Sequence, residues 1–455
     1  MSELLPVAPL YRLVAFFGAL YYSGNVVDLL GCPALVGEIV AGMLLGPDVA
    51  DLLPPTVVDA LKIAGQAGLC LMVIEGGISM ESDVLKQKGV RAVVLAATGT
   101  VLPVLLGWLT MLSLGHSSTC ALASGIALSS TAIGFTMRMM TDMKLLETAE
   151  GQLITAAAMI DDVFSLILLS MLTVVQDAAL AEQQSGEQQT QQSTSSAWTI
   201  VRPLLASAVV TLVGLVCFHV VESPSFASFG KLLDRSSPDR LRSAWQNNEQ
   251  ELMVLFLIGG GMLAAWLSDG LYSTLLLGAF TVGAVCCTRP LAREAWSSLV
   301  APLQSWLARC FFGATVGFQV PVRDLFEGGN IGPGLLLTVA AVLGKWLSGA
   351  WGTSICQPAH IDEMADGHTA CSFANRVYWG TFNRVGCAMI GRGELGFQLA
   401  TTARSAGILT PPAYSATIWA LLLATLLGPV AFRLSMRFTA CGLENEEGKT
   451  AVERA

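Results

Sequence analysis

Apolar runs of a length that crosses a bilayer, about 17–25 residues each, recur from one end of the chain to the other. They fall at 8–29, 33–53, 58–80, 91–113, 118–140, 149–175, 199–221, 249–268, 271–288, 297–319, 331–354, 383–406 and 412–436. The pattern predicts an all-α protein of about thirteen transmembrane helices. The second run is short and is interrupted by Gly42, Gly46 and Pro47. Three stretches are too polar to be membrane. Residues 177–197 are rich in Gln, Ser and Thr and read as a disordered polar linker. Residues 222–248 hold Lys231, Arg235, Arg240 and Arg242, and residues 355–382 hold two histidines and several acids. After the last run, 438–455 form a short tail.

Composition supports the membrane reading. Only 13% of residues are charged, against about 25% in soluble domains, and the mean hydropathy is +0.61. A net charge of −9 gives no reason to expect nucleic acid as a partner. The 11 cysteines form no C-x-x-C pair. Cys32, Cys70, Cys120, Cys217 and Cys310 lie in apolar runs and read as small hydrophobes. The N-terminus lacks a basic region and an A-x-A site, so no cleaved signal peptide is expected. No phosphate-binding P-loop is present, which points to gradient coupling rather than enzymatic nucleotide hydrolysis.

Basic residues set an orientation. Alternate loops carry Lys86, Lys88 and Arg91; Arg138 and Lys144; Lys231 to Arg242; Arg289 and Arg293; and finally Arg433 and Arg437. The opposite loops hold little beyond Arg202, Arg323 and Arg404. The positive-inside rule then places the N-terminus outside and the C-terminus inside, which demands an odd number of spans.

The chemistry lies where polar residues interrupt these runs. Asp161 and Asp162 stand in the middle of Ala156–Leu172. A charge at bilayer depth costs roughly 2.5–3.5 kcal/mol on insertion scales, and by default marks an ion or proton pathway. Successive helical residues point about 100° apart, so the two aspartates cannot face one partner. One can face water and bind either a cation or a proton, the minimum machinery for exchange. The other can pair with Lys345, which lies in the apolar run Leu335–Ser348. The bland alternative is an ion pair that only fixes helix packing.

Further polar interruptions follow. Ala127-Leu-Ser-Ser-Thr-Ala-Ile-Gly134 and Gly391-Arg-Gly-Glu-Leu-Gly396 read as broken helices in corresponding positions of two halves, the arrangement of inverted-repeat transporters. Arg392 is expected to pair with a carboxylate on a neighbouring helix. Glu75, in Met72–Met80, reads equally as part of an access route or as a helix end in water. His360-Ile-Asp-Glu-Met-Ala-Asp-Gly-His368 fits no zinc spacing and reads as a solvated loop, with pH sensing as its functional alternative.

These segments together resemble the monovalent cation:proton antiporter superfamily, the sodium/proton exchangers, in its antiporter-2 branch. Gly37-Glu-Ile-Val-Ala-Gly-Met-Leu-Leu-Gly-Pro47 is similar to that family's early signature. Glu75-Gly-Gly-Ile-Ser-Met80, Ala127–Ala132, Phe311-Phe-Gly-Ala-Thr-Val-Gly-Phe318, Gly391–Glu394 and Thr425-Leu-Leu-Gly-Pro429 are similar to its later motifs. The resemblance runs from about Pro33 to Arg433.

The resemblance implies an inverted-repeat antiporter fold with crossed discontinuous helices. Ion-carrying spans are expected near 58–175 and 297–406, with dimerisation spans making up the rest of 1–437. It implies a homodimer in the plasma membrane or an organelle membrane, and an elevator-like motion. Asp162 is the expected carboxylate for cation (Na⁺) and proton, with Asp161 as the partner of Lys345 and Thr131 near the ion; Arg392, Glu394 and Glu75 are structural or access charges. No cofactor is implied; the partners are Na⁺ (or K⁺ or Li⁺), protons and lipid. The Asp-Asp pair with a lysine is similar to the electrogenic members. The Ser-Ser-Thr form of the break is also similar to potassium-efflux relatives. A potassium efflux path and a non-transporting sensor of the same fold are therefore the alternatives.

Overall fold

A computed structural model describes residues 7–453 apart from 81, 133–135, 138–139, 142, 146–147, 185–195, 224–247, 272, 326–327 and 355–366. Within it, the side chains of 7–9, 82–83, 85–88, 173–201, 353–377 and 437–453 are also left undescribed. The described residues form helices and connecting turns, with no strand among them. Seven of the helices are long and apolar enough to cross a membrane.

The first half begins with α1 (Val7–Leu29), α2 (Ala34–Leu45), α3 (Pro55–Ile78), α4 (Ser82–Ser113) and α5 (Ser118–Ala127). It continues through α6 (Ala149–Gln184) and α7 (Ser196–Glu222). Local chemistry sets several starts. Ser117 caps α5 by accepting from the Cys120 N–H, and Pro54–Pro55 opens α3 where a helix N–H has no partner to lose. The second half holds α8 (Glu249–Gly270), α9 (Leu275–Val285), α10 (Pro290–Ala295) and α11 (Ala301–Cys310). A π-helical turn, Trp296–Val300, joins α10 to α11, and another, Phe311–Val316, follows α11. The last elements are α12 (Val322–Leu325), α13 (Gly328–Ser348), α14 (Gly367–Ala388), α15 (Glu394–Ser405) and α16 (Pro411–Glu453).

Several sequence boundaries change. Residues 177–184 continue α6 instead of starting a linker; 185–195 lie outside the described residues. The expected loop 355–382 is helical from Gly367 onward. Its earlier part, with most of the His360–His368 segment, lies outside the described residues. The expected span 383–406 is the end of α14, an interruption at 389–393, and α15.

Packing sorts the helices into two bundles. In one, α4 packs against α5, α6 and α13, α13 and α14 pack against α16, and α15 packs against α5, α6 and α16. In the other, α1 packs on α2, and α3 packs on α9, α11 and the Phe311–Val316 turn. The α8 helix joins this second bundle through α9, while α7 touches both α6 and α9. The α3 and α11 segments, which fall within the expected ion-carrying spans 58–175 and 297–406, pack in the second bundle. Their motifs bring small residues to close crossings there: a Cβ on Gly42 of α2 would lie 2.2 Å from the Gly313 carbonyl. Large apolar side chains on α1, α7 and α8, such as Tyr22, Leu212 and Trp266, stay exposed on the outside, as lipid-facing residues do.

Candidate ion site

The α5 helix stops at Ala127, and 130–132 have no helical hydrogen bonding. The α14 helix stops at Ala388, and 390–393 are likewise irregular. These two interruptions meet. The Ala132 N–H donates to the Gly391 carbonyl at 3.0 Å, and the Thr136 hydroxyl donates to the Ala388 carbonyl at 3.3 Å. Gly396 allows the approach: a Cβ there would sit 2.9 Å from the Ala127 carbonyl and 2.5 Å from Ser130 Oγ. Irregular backbone at membrane depth is tolerated only where protein or an aqueous cavity satisfies it.

Arg392 supplies part of that satisfaction. It is fully buried, and its guanidinium donates to the carbonyls of Ser129 at 3.5 Å, Ser130 at 3.3 Å and Ala341 at 2.7 Å. The expected pairing with a carboxylate is absent among the described residues. The physical reason is local: a helix that stops in mid-membrane leaves its last carbonyls unpaired and its negative dipole end exposed. A cation with a fork of donors answers both. Its Nε finds no acceptor among the described residues.

On α6, Asp161 and Asp162 point to different places. Asp161 is 0% exposed and turned toward α4 and α13. Its Oδ1 accepts from the Thr100 hydroxyl at 2.6 Å. Its Oδ2 accepts from the Thr131 hydroxyl at 2.6 Å and from Lys345 Nζ at 2.9 Å. Lys345, also 0% exposed, donates a second bond to Thr131 Oγ1 at 2.7 Å. Thr131 thus accepts from the lysine and donates to the aspartate, joining three elements in a closed network. Thr131, expected near the ion, has its hydroxyl committed to this pair. Thr100 was not foreseen, and its only signal was a hydroxyl in the apolar run 91–113.

Asp162 is half-buried and makes no hydrogen bond among the described residues. It lines a cavity of about 360 Å³ between the two bundles. Glu394, the first residue of α15, lines the same cavity from the first bundle. Its place at a helix N-terminus suits a negative charge. Leu35, Glu75, Phe280 and Gln304 line it from the second bundle. Glu75 is therefore on the cavity wall. Gln304, which sequence reasoning passed over, donates to Glu75 Oε2. The acid of the early signature, Glu38, is elsewhere, 3.3 Å from Arg309 Nε in a pair between α2 and α11. The described residues contain no cluster of metal-ligand type.

Such a site can offer carboxylate oxygens to a small hard cation or accept protons, beside the buried amine of Lys345. Comparison with known proteins adds to this geometry. The family model described as "Sodium/hydrogen exchanger, transmembrane" matches residues 13–435. The high-affinity Na(+)/H(+) antiporter NhaS3 of Synechocystis sp. is 22% identical, with 94% of this chain and 90% of that protein covered. The Na(+)/H(+) antiporter of Enterococcus hirae is 23% identical, with 90% and 94% covered. Cation/H(+) antiporter 15 of Arabidopsis thaliana is 29% identical over 68% of this chain, which spans 35% of that protein's length. Among solved structures, the sodium proton antiporter MjNhaP1 from Methanocaldococcus jannaschii at pH 8 superposes with a TM-score of 0.62 at 16% identity. It covers 94% of this chain and 99% of that one, which is a likeness of fold.

Proposed function

The chain belongs to the transmembrane sodium/hydrogen exchanger family, and from that premise we propose that it is a secondary antiporter exchanging Na⁺, or K⁺ or Li⁺, for protons. The observation that carries the proposal is the split of the two neighbouring acids. Asp162 faces the inter-bundle cavity without a hydrogen-bond partner among the described residues, while Asp161 is saturated by Thr100, Thr131 and Lys345. A cavity carboxylate that holds a cation or a proton, but not both, couples the two flows by competition. Lys345 gives the cycle a second titratable charge. Release of its proton when the cation binds makes exchange electrogenic, with more than one proton per cation.

The cavity lies between bundles, so relative sliding of the bundle holding α4–α6 and α13–α16 alternates its access from one side to the other. About thirteen spans with the N-terminus outside and the C-terminus inside, and assembly as a homodimer, complete the proposal. Purified protein in liposomes tests it. An exchanger collapses an imposed pH difference on cation addition, and an electrogenic one does so faster when the voltage favours net charge movement. Cation flux with no proton coupling would instead indicate a channel, and no flux at all a sensor.

A further inference from the structure

Across the cavity from Asp162, a three-residue relay ends on Glu75. Trp296 Nε1 donates to Gln304 Oε1 at 2.8 Å, and Gln304 Nε2 donates to Glu75 Oε2. Trp296 and Gln304 are 2% and 5% exposed, whereas Leu303 and Ser305 beside Gln304 are exposed. The polar amide is therefore turned inward although its immediate neighbours in the helix meet the outside.

The polarity of this relay is fixed. An indole N–H can only donate, so it claims the carbonyl end of the Gln304 amide and turns the NH₂ end toward Glu75. The register is fixed too. In a straight α-helix, residues seven apart return to about the same face, at about 100° per residue. Trp296 and Gln304 are eight apart. The π-helical turn Trp296–Val300 lies between them, and such a turn takes up one extra residue. It puts the indole and the amide on one face. Glu75 Oε1 makes no hydrogen bond among the described residues, and Glu75 lines the cavity.

We propose that Gln304, oriented by Trp296, is a positioning residue that holds the Glu75 carboxylate toward the cavity as the group that captures the incoming cation before it reaches Asp162. A negative charge fixed in a cleft concentrates cations locally, and a side chain already held in place has less freedom to lose on binding. The proposal rests on the exchanger reading.

Two variants separate positioning from structure. Gln304→Met keeps the volume and removes both polar ends; Trp296→Phe keeps a ring and removes only the N–H. Two readouts are taken: pH-difference collapse in liposomes against Na⁺, K⁺ or Li⁺ concentration, and the cation concentration that raises the melting temperature of purified protein. In Gln304→Met the half-saturating concentration rises about tenfold in both assays, the size of one hydrogen bond to a charged group. The maximal rate stays within about twofold of wild type. Trp296→Phe moves the same way by less, and decides the matter if Gln304→Met fails to insert. Glu75→Gln raises the half-saturating concentration similarly, and adding Gln304→Met to it changes nothing more.

A lowered melting temperature with unchanged half-saturation in these variants overturns the proposal, as does additivity of the two substitutions. A wild-type protein stabilised by none of the three cations overturns it as well. Wild-type protein that is stabilised but does not exchange overturns the exchanger reading alone.

Discussion

The pocket behind α6 and the cavity in front of it differ in one respect that decides their roles. Behind the helix, Asp161 has three donors on two oxygens and no exposure. In front, Asp162 shares a cavity with Glu394 and Glu75 and has no hydrogen-bond partner among the described residues. Burying an ion costs several kcal/mol even after relaxation, and partners must offset it. The rear pocket meets that cost with its own donors while Lys345 holds its proton, and the pair then fixes where α4, α6 and α13 sit. The front cavity leaves it unmet by protein, so a cation or a proton has to meet it. Under the proposed function, adjacent residues of one type thus divide into an anchor and an exchanger.

The largest effect is expected of Asp162→Asn. It abolishes cation-dependent collapse of the pH difference, while insertion and melting temperature stay near wild type because no protein hydrogen bond is lost. Retained transport in that variant would refute the division of roles. Lys345→Gln acts in the opposite sense. Removing one partner of a buried pair costs about 3–5 kcal/mol, so the variant melts well below wild type, and whatever exchange survives has a smaller proton:cation ratio. An unaltered ratio and melting temperature would show that the pair is not the anchor.

Thr100→Val removes a single donor from Asp161. A loss of about 1.5–3 kcal/mol is expected, read as a lower denaturation midpoint, with half-saturation by cation unchanged. A shift in half-saturation would mean that the rear pocket takes part in binding. The smallest effect is expected in the Gln- and Ser-rich stretch. Replacing 185–195 by a glycine-serine linker of equal length leaves transport as it is, because that sequence has few residues able to pack. Lost activity in an inserted variant would give the segment a role that its composition does not suggest.

The paired acids and their lysine were legible because charge is so costly in an apolar run that each instance stands out. The broken helices were legible from glycine, hydroxyl and charge at mid-span. Arg392 was assigned a carboxylate because sequence shows side chains but not orphaned carbonyls, and its acceptors are backbone atoms of α5's end and α13. Gln304 and Thr100 went unnoticed for a related reason. An uncharged polar residue in a span is cheap enough to be common, so only its partner reveals its use.

Composition and hydropathy by themselves determined that this chain lies in a membrane as helices, since water-free surroundings leave the backbone few other choices. They also determined which few residues carry charge inside. Hydropathy left open which aspartate faces the cavity, and the tertiary structure alone decided that α3 and α11 form its far wall and that a π turn brings an indole and an amide into line behind Glu75. Those outcomes depend on the rotation of each helix about its axis and on contacts between residues distant in the chain, and hydropathy is nearly blind to both.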